Sequence, residues 1–368
     1  MNNSLQTQEG FSRPLIRWYR FHLRPLPWRN TKKPYPIWIS EIMLQQTTVQ
    51  SVLPYFEKWL AIFPDLPTLS RAPLQKVLKT WQGLGYYQRA RNLHAAAKII
   101  MRDHQGTIPD TYQELIQLPG FGPYTTAAVL SLAFDKPYPV LETNVRRVLM
   151  RLFALNREAD ARYDKTLLKF LNPLLPKTGM GVFNQAMMEL GALVCRPKNP
   201  SCLLCPIDSH CKAFSMGIQE ILPKPRRRNY RKIDAVIGII HKGNKFLMQK
   251  RPSKGLLANL WEFPGGKTLA GENLRQALQR EIKEELDSTV KSLKYLTCVQ
   301  HSYTQYQVTL HAFDCQLKDI PVLKKRSRRW ITLEGMYRYP LPSGSAKIVK
   351  FLEARRNKEK TLDETKSR

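Results

Sequence analysis

Four of the chain's six cysteines lie within a segment of seventeen residues, and this is the pattern in the sequence most suggestive of chemistry. They are Cys195, Cys202, Cys205 and Cys211, with the spacing C-x6-C-x2-C-x5-C. Thiolates held this close repel one another unless a metal ion or cluster neutralises them, and disulfides are typical of secreted proteins. Four cysteines bind zinc or an iron–sulfur cluster, and the spacing alone favours zinc, whose four-cysteine sites are commoner. Four unrelated buried cysteines are the alternative.

A strong excess of positive charge is the second broad feature. The chain has 59 Lys and Arg against 29 Asp and Glu, a net charge of +30 in 368 residues. Such an excess usually indicates a polyanionic partner, most often nucleic acid, although a merely basic or membrane-binding surface is the alternative. No apolar run approaches the roughly 20 residues of a membrane helix. The first residues, MNNSLQTQEGFSRP, lack a signal-peptide pattern. We therefore expect a soluble, intracellular, nucleic-acid-binding protein.

The elements that must position these residues change in type along the chain. Apolar residues at i, i+3, i+4 spacing predict helices between residues 1 and 221, punctuated by Pro and Gly. Residues 222–232 are Pro-rich and basic and predict a linker. Strand patterns of alternating apolar and polar residues, around one acidic amphipathic helix, predict an α/β domain over residues 233–355. Residues 356–368 are expected to form a disordered tail. The expected fold class is a multidomain α + α/β protein.

A glycine-containing turn stands between two predicted helices in LPGFGPYTT, residues 118–126. Gly120 and Gly122 free the backbone for a tight turn, and the N–H groups at the start of the following helix suit a DNA phosphate. A generic helix–turn–helix corner also uses Gly and Pro, so both interpretations stand on this segment alone.

The longer segment LPGFGPYTTAAV resembles the helix-hairpin-helix of the endonuclease III superfamily of DNA glycosylases. Within it the chain is similar to the MutY-type adenine DNA glycosylases. The matching stretches are PWR (27–29), SEIMLQQT (40–47), GLGYYQRARNLH (83–94), FNQAMMELGALVC (183–195) and the cysteine quartet. The resemblance implies a monomer that flips adenine out of double-stranded DNA, where it is mispaired with 8-oxoguanine or guanine, and cleaves its N-glycosidic bond. It also implies a [4Fe-4S] cluster, held by the four cysteines as a structural brace.

Two carboxylates carry the chemistry that the resemblance implies. Glu41 matches the general acid that protonates adenine, and its apolar neighbours favour a raised pKa; a solvated helix glutamate is the alternative. Glu142 stands where the family commonly has the aspartate of Asp-Gly-Asn, which stabilises the positively charged sugar. Here the triplet is Glu142-Thr143-Asn144, so the charge is kept on a longer side chain. Asn144 matches a residue that orients sugar and water, or it caps the helix that starts there.

Tyr124 determines whether the DNA strand is cut. In the lyase branch of the superfamily a lysine at this position forms a Schiff base with the sugar, which a tyrosine hydroxyl cannot do. We expect base removal without strand cleavage, with Tyr124 hydrogen-bonding near the catalytic carboxylate; packing in the core is the alternative. Other matches could equally be packing residues. They are Trp28, Arg29 and Gln185 at the adenine pocket, and Gln46 and Tyr86 as side chains that wedge into the duplex.

Residues 233–355 resemble the Nudix-like domain with which MutY-type enzymes detect 8-oxoguanine. The Nudix box is nearly complete, since only Asp287 and Ser288 break its pattern; its matching residues are Gly266, Glu272, Arg280, Glu281, Ile282, Glu284 and Glu285. In Nudix hydrolases such glutamates gather magnesium. A solvated helix, or ancestry without activity, are the alternatives. Tyr303, Thr304 and Gln305 stand where the family's lesion-reading loop commonly has Phe-Ser-His.

Three other functions compete with adenine excision. A hairpin tyrosine also occurs in thymine or uracil mismatch glycosylases. The substitution at Glu142 suggests a lesion-binding homologue with weak or no turnover. The Nudix box suggests a nucleotide pyrophosphohydrolase joined to a DNA-binding module. The compact chain is typical of a bacterial cytoplasmic protein acting at the chromosome, with a mitochondrial or nuclear location as the alternative.

Overall fold

A computed structural model describes residues 8–225, 230–303, 306–319 and 327–366. The chain forms two compact units. The first comprises Met1–Arg71 and Asn92–Arg227, and the second Ala72–Arg91 and Arg228–Arg368. The first unit is helical and the second contains the strands, so the predicted α + α/β class is confirmed. In the described part, no helix is both long and apolar enough to span a membrane.

Helices account for most of the ordered backbone described. They are α1 (Gln8–His22), α2 (Pro34–Leu44), α3 (Val49–Ile62), α4 (Leu66–Arg71), α5 (Leu74–Thr80), α6 (Gln88–Asp103), α7 (Tyr112–Leu115), α8 (Pro123–Phe134), α9 (Thr143–Leu152), α10 (Asp164–Leu171), α11 (Met180–Leu193), α12 (Lys212–Ser215), α13 (Leu274–Leu286), α14 (Leu333–Met336) and α15 (Ser343–Lys366). Short 3₁₀ turns lie at Pro27–Arg29, Ala161–Tyr163, Asn172–Leu174, Cys202–Leu204 and Asp208–His210.

Helices α2 and α8 form the centre of the first unit. Both are apolar on nearly every face, the pattern of a helix surrounded by protein. They pack against each other, and the ring of Trp38 on α2 stacks on that of Phe121 with centroids 5.3 Å apart. A second core joins α1, α9, α10 and α11. A carboxyl group on α2 and a hydroxyl on α8 are thereby held inside the protein.

The second unit contains two small sheets. Their strands are β1 (Arg231–Ile239), β2 (His241–Lys242), β3 (Lys245–Lys250), β4 (Trp261–Glu262), β5 (Gly265–Lys267), β6 (Val290–Tyr303), β7 (Tyr306–Leu317) and β8 (Arg328–Thr332). One sheet has the order β5-β1-β7-β6, with β1 and β7 parallel; in the other, β3 pairs with β2, β4 and β8. Helix α13 packs Leu278 and Ile282 into the core beside Val236 of β1.

The boundaries of the second unit differ from those predicted from sequence. Residues 72–91, expected within the helical domain, group with the second unit because their polar side chains are satisfied there. Gln75 bonds the carbonyl of Asn259 and accepts from the indole of Trp261, both at 3.0 Å, and the hydroxyl of Tyr87 donates to Leu341 at 2.9 Å. Helix α15 continues to Lys366, through most of the segment expected to form a disordered tail. Of the predicted linker, residues 226–229 lie outside the described residues.

Candidate active site

One cavity in the first unit collects most of the residues that sequence predicts for catalysis. It has a volume of about 790 Å³ and is lined by segments of α2, α8, α9 and α11 and the turns before them. The predicted residues that line it are Glu41, Tyr124, Glu142, Asn144, Trp28, Arg29, Gln185 and Gln46. A cavity of this size and mixed lining is typical of a ligand site.

Glu41 is a deeply buried carboxyl group in this cavity wall. It is 2% exposed on α2, and the hydroxyl of Tyr124 donates to its Oε2 at 2.5 Å. Burial raises the pKa of Glu41 to about 7, against the lowering effect of that hydrogen bond. Burial also raises the pKa of Tyr124 well above its ordinary value, so the phenol remains a donor. With Oε2 accepting, Oε1 can carry a proton toward the cavity. Tyr124 therefore contacts Glu41 rather than the carboxylate that follows the hairpin.

Glu142 has a different environment although it lines the same cavity. It is the N-cap of α9, and its two carboxylate oxygens accept from the backbone N–H groups of Asn144 at 2.8 Å and Val145 at 2.9 Å. Burial raises the pKa of Glu142, while these N–H groups and the guanidinium of Arg147 oppose that rise. Helix N-termini favour negative charge. The environments of the two carboxyl groups thus differ, and they favour the protonated form at Glu41 and the ionised form at Glu142.

Asn144 does not cap the helix, because Glu142 does so. Its side-chain oxygen accepts from Arg147 at 2.8 Å, and its backbone lies so close to Gly191 of α11 that a Cβ there would stand 2.7 Å from the Asn144 Cβ. Because Gly191 has no side chain, α9 and α11 can approach each other closely, and Asn144 lies at the cavity wall.

A buried ion network beneath the cavity was not predicted from sequence. Glu189 of α11 is fully buried and accepts from Arg24 at 2.7 Å and Arg29 at 2.6 Å. Burial opposes ionisation, yet the hydrogen bonds from both arginines lower the pKa of Glu189 to about 2. The sequence held a signal for this network, because Glu189 follows the predicted pocket residue Gln185 by one helical turn and lies on the same helix face. Tyr19 donates a short hydrogen bond to Gln185, so the same network orients both predicted pocket residues.

The remaining predicted DNA-contacting residues lie at turns. Gln46 is exposed between α2 and α3 with φ of 58°, and Tyr86, in the second unit, is half-buried with φ of 47°. A left-handed backbone conformation is uncommon in residues other than glycine, and the cases that occur are concentrated at functional sites. In the hairpin, Gly120 has φ of +87° and a Cβ there would stand 2.9 Å from Asn92, whereas Gly122 caps α8 and faces open space. Only Gly120 is required to be glycine by its geometry.

The four clustered cysteines line one small cavity of about 30 Å³. No group of three or more His, Cys, Asp or Glu side chains within residues 8–225, 230–303, 306–319 and 327–366 is arranged to hold a metal ion. Thiols around a cavity fit a polynuclear cluster better than one zinc ion, which must bond each sulfur directly at about 2.3 Å. Arg151 is 1% exposed, donates to Sγ of Cys195 at 3.3 Å, and has no carboxylate partner among the described residues. A buried cation needs nearby negative charge, which cluster thiolates would supply.

The Nudix box residues are engaged with one another. Arg280 pairs with Glu272 and Glu281 at 2.9 Å and with Glu284 at 3.3 Å. Glu285 accepts from Gln249 at 2.7 Å and from the backbone N–H of Gly265 at 2.9 Å. The box therefore has a structural role whether or not it binds a metal.

The predicted lesion-reading residues are only partly covered. Tyr303 is the last residue of β6, and nothing is described of its side chain. Thr304 and Gln305 lie outside the described residues.

Comparisons with known proteins find family matches for both regions of the chain. Residues 39–173 match the HhH-GPD superfamily of base excision DNA repair proteins, and residues 235–351 match the NUDIX domain. The adenine DNA glycosylase of Buchnera aphidicola (subsp. Schizaphis graminum) is 33% identical over 352 residues, covering 93% of this chain and 99% of its own. That of Mus musculus is 31% identical over 407 residues, covering 94% of this chain and 78% of its own.

A solved structure shares the helical fold. The structure of a thermostable thymine-DNA glycosylase superposes with a TM-score of 0.53 at 27% identity, covering 58% of this chain and all of that one. The bacterial and mammalian relatives extend over both units, which the thymine-DNA glycosylase does not. The predicted resemblance is confirmed: the chain is an enzyme of the adenine DNA glycosylase family, with a helix-hairpin-helix glycosylase region followed by a Nudix region.

Proposed function

We propose that the protein excises adenine mispaired with 8-oxoguanine or guanine by hydrolysing its N-glycosidic bond, and that it leaves the DNA strand intact. The observation that carries the proposal is a buried carboxyl at Glu41, whose pKa burial raises to about 7, in the same cavity as the hydrogen-bonded carboxyl of Glu142. The net charge of +30 supports binding to duplex DNA. The protein acts on the chromosome as a monomer, in a bacterial cytoplasm.

Adenine must leave the base stack to reach Glu41. Gln46, exposed at a turn at the cavity mouth, enters the duplex beside the lesion, and the flipped nucleotide occupies the 790 Å³ cavity. The aromatic face of Trp28 and the polar groups of Arg29 and Gln185 contact the base. Glu189 holds Arg29 in place through its bond at 2.6 Å, so the pocket is organised before adenine enters.

Bond cleavage then uses the difference between the two carboxyls. Glu41 donates its proton to a ring nitrogen of adenine, and the electron pair of the N-glycosidic bond leaves with the neutral base. The carboxylate of Glu142 stabilises the sugar cation, while Asn144 orients the sugar and water. Water adds to the sugar carbon and releases its proton to the ionised Glu41. Among the described residues that line the cavity there is no lysine, which supports hydrolysis without a Schiff base.

The four cysteines hold a [4Fe-4S] cluster in this proposal. It is supported by the cavity they share and by the guanidinium of Arg151, which donates to Cys195 and has no carboxylate partner among the described residues. Such a cluster supplies a rigid, anionic centre that cross-links the loop. The loop carries Arg196, Lys198 and Lys212 toward DNA phosphates. In the second unit, Tyr303, Thr304 and Gln305 recognise 8-oxoguanine, through aromatic, hydroxyl and amide groups.

Duplexes with a single 8-oxoguanine:A, G:A or G:T pair test the reaction. Strand breaks should appear only after alkali and only in the adenine-containing strand, faster with 8-oxoguanine:A than with G:A. Glu41→Gln should lower the single-turnover rate at least about a thousandfold, because the proton donor is lost. The rate should also fall as the pH rises above about 7, where Glu41 ionises. Breaks before alkali would contradict hydrolysis without strand cleavage.

The structural likeness to a thymine-DNA glycosylase makes thymine excision the second candidate. Thymine released from the G:T duplex faster than adenine from the G:A duplex would favour it. Tight binding to 8-oxoguanine:A with no alkali-sensitive product would instead favour a lesion-binding protein without turnover.

The protonation of Glu41 predicts a pH-dependent stability effect. Its pKa is about 7 in the folded protein, against an ordinary value of 4.5, so the folded state binds more protons between these values and loses stability as the pH rises through them. Glu41→Gln removes the charge that must otherwise be buried. It should raise the free energy of unfolding by about 2–3 kcal/mol at pH 8 and leave it unchanged at pH 4. Urea unfolding at both pH values measures this, with the exposed Glu57→Gln as the control without a gain.

The length of the Glu142 side chain predicts what happens when it is replaced by the aspartate that the family commonly has. Because both oxygens of Glu142 are held by backbone N–H groups of α9, the site is built around the longer side chain. Glu142→Asp should lower the excision rate by about tenfold to a hundredfold, since a shift of about 1 Å is enough to do so. Single-turnover kinetics measure this, with Glu57→Gln, an exposed residue of α3 outside the cavity, as the neutral control. A faster Glu142→Asp enzyme would show that glutamate is a handicap.

The cluster predicts colour and iron content. Anaerobically purified protein should be brown, with broad visible absorbance and about four iron atoms per chain. Cys202→Ala should lose colour and iron, whereas Cys298→Ala, at an exposed cysteine of the second unit, should keep both. A colourless protein with one zinc ion per chain would rule the cluster out.

A further inference from the structure

A glutamine lies in the wall of the cavity that the four clustered cysteines share. Gln219 follows Cys211 by eight residues and stands outside the stretches that resemble adenine DNA glycosylases. Its side chain lines the cavity of about 30 Å³ together with the cysteines, Arg151 and Asp208. The wall therefore brings an uncharged amide, a cation and a carboxylate to the same group of thiols.

The backbone returns Gln219 to this cavity by a turn at a glycine. Helix α12 begins directly after the last cysteine of the quartet and is only one turn long. Gly217 follows it with φ of +68°, and the N–H of Ile218 donates to the carbonyl of Ala213 at 2.9 Å. A left-handed glycine of this kind ends a helix and reverses the chain. The side chain two residues later consequently lies against the cysteines.

The amide of Gln219 is not satisfied by the protein. Its Oε1 atom is enclosed and has no hydrogen-bond partner among the described residues. An enclosed carbonyl oxygen without a donor is unfavourable, and such atoms are rare in folded proteins. The oxygen and nitrogen of a side-chain amide are nearly alike in size, so a half-turn exchanges them and puts an N–H donor in place of the oxygen. The chemistry of the cavity decides between these two orientations.

The sulfur atoms gathered here accept hydrogen bonds once they are deprotonated and bound to iron, and they offer no donor to an amide oxygen. Three of the four cysteine sulfurs already have a donor from the protein. These donors are Arg151 for Cys195, the N–H of Ile207 for Cys205, and the N–H groups of Ala213 and Phe214 for Cys211. No donor to Cys202 is found in the part of the chain that the structure describes. An N–H group from Gln219 would therefore find acceptors that still lack a partner.

Hydrogen bonds to cluster sulfurs have a measurable electrostatic effect. Reduction by one electron adds a negative charge to the cluster, so donors and cations favour the reduced form and anions oppose it. Arg151 and Asp208 act in opposite directions in this respect. The Asp208 carboxylate accepts only the backbone N–H of Ser209, at 2.7 Å, among the contacts described. A neutral donor between two opposed charges therefore has an effect of its own on the potential.

We propose that the amide N–H of Gln219 donates a hydrogen bond to a sulfur atom of the cluster and raises its reduction potential. The inference rests on the [4Fe-4S] cluster proposed above and adds a residue outside the four ligands. Gln219 bonds no iron, so it is a positioning residue for the cluster. The hydrogen bond also satisfies the enclosed end of the amide, which no described protein group does.

Voltammetry of anaerobically purified full-length protein tests this bond. Gln219→Leu and Gln219→Met remove the donor and keep a side chain of similar size. Each should make reduction of the cluster about tenfold less favourable, which lowers the potential by about 59 mV for a one-electron couple. Gln113→Leu, at an exposed glutamine of α7, should leave the potential unchanged. Asp208→Asn removes a negative charge from the same wall and should raise the potential, which shows that the measurement detects changes there.

Iron analysis separates a failure of this inference from a failure of the proposed cluster. The wild type and the variants should each contain about four iron atoms per chain. Zinc in place of iron in the wild type would overturn the cluster and the hydrogen bond together. Full iron content with an unchanged potential in either Gln219 variant, while Asp208→Asn shifts it, would overturn the hydrogen bond alone. Gln219→Met keeps the unbranched shape of the side chain and decides the outcome if Gln219→Leu does not retain its iron.

Discussion

The burial of one carboxyl group, that of Glu41, is the constraint on which the rest of the active site depends. A charged carboxylate inside an apolar helix pair is costly, so the group keeps its proton near neutral pH, and its pKa rises to about 7. Helix α8 brings the hydroxyl of Tyr124 to Oε2, and this hydrogen bond opposes the rise in pKa. A raised pKa also requires that no cation be paired with Glu41, and the nearby arginines are indeed occupied by Glu189. Burial of this carboxyl lowers the stability of the folded protein above neutral pH, but it provides a proton donor near pH 7.

Helix α9 connects the cavity to the cysteine loop. Its first turn is capped by Glu142, while Arg147 donates to the carbonyls of Cys195 at 2.9 Å and Gly191 at 2.7 Å. Further along, Arg151 binds the carbonyl of Arg196 at 2.7 Å. Displacement of the loop would therefore move the helix whose N-terminus holds the second carboxylate. A structural brace distant in sequence from the catalytic groups can in this way affect the geometry of the reaction.

The Nudix region illustrates how a catalytic motif can be retained for packing. Three glutamates of the box, Glu272, Glu281 and Glu284, pair with Arg280. Gly266 leaves room for the carboxyl of Glu281, which a Cβ would meet at 2.3 Å. The side chains of Glu272 and Glu281 are largely buried, so loss of Arg280 would leave both carboxylates without their cation. The motif is therefore preserved by interactions that are independent of metal binding, and its presence in the sequence does not by itself indicate hydrolysis.

Sequence alone determined the two architectures and the resemblance to adenine DNA glycosylases, because local spacing and motifs carry that information. It also predicted Glu41, Tyr124 and Glu142 as site residues, and the structure brings them to one cavity. It did not reveal Glu189 or the grouping of residues 72–91 with the second unit. These depend on partners far apart in the chain, such as Arg24 with Glu189 and Gln75 with Asn259. The raised pKa of Glu41 likewise depends on packing, which removes water from the carboxyl. Burial and long-range pairing are properties of the tertiary structure, and they decide which residues of a motif are chemically active.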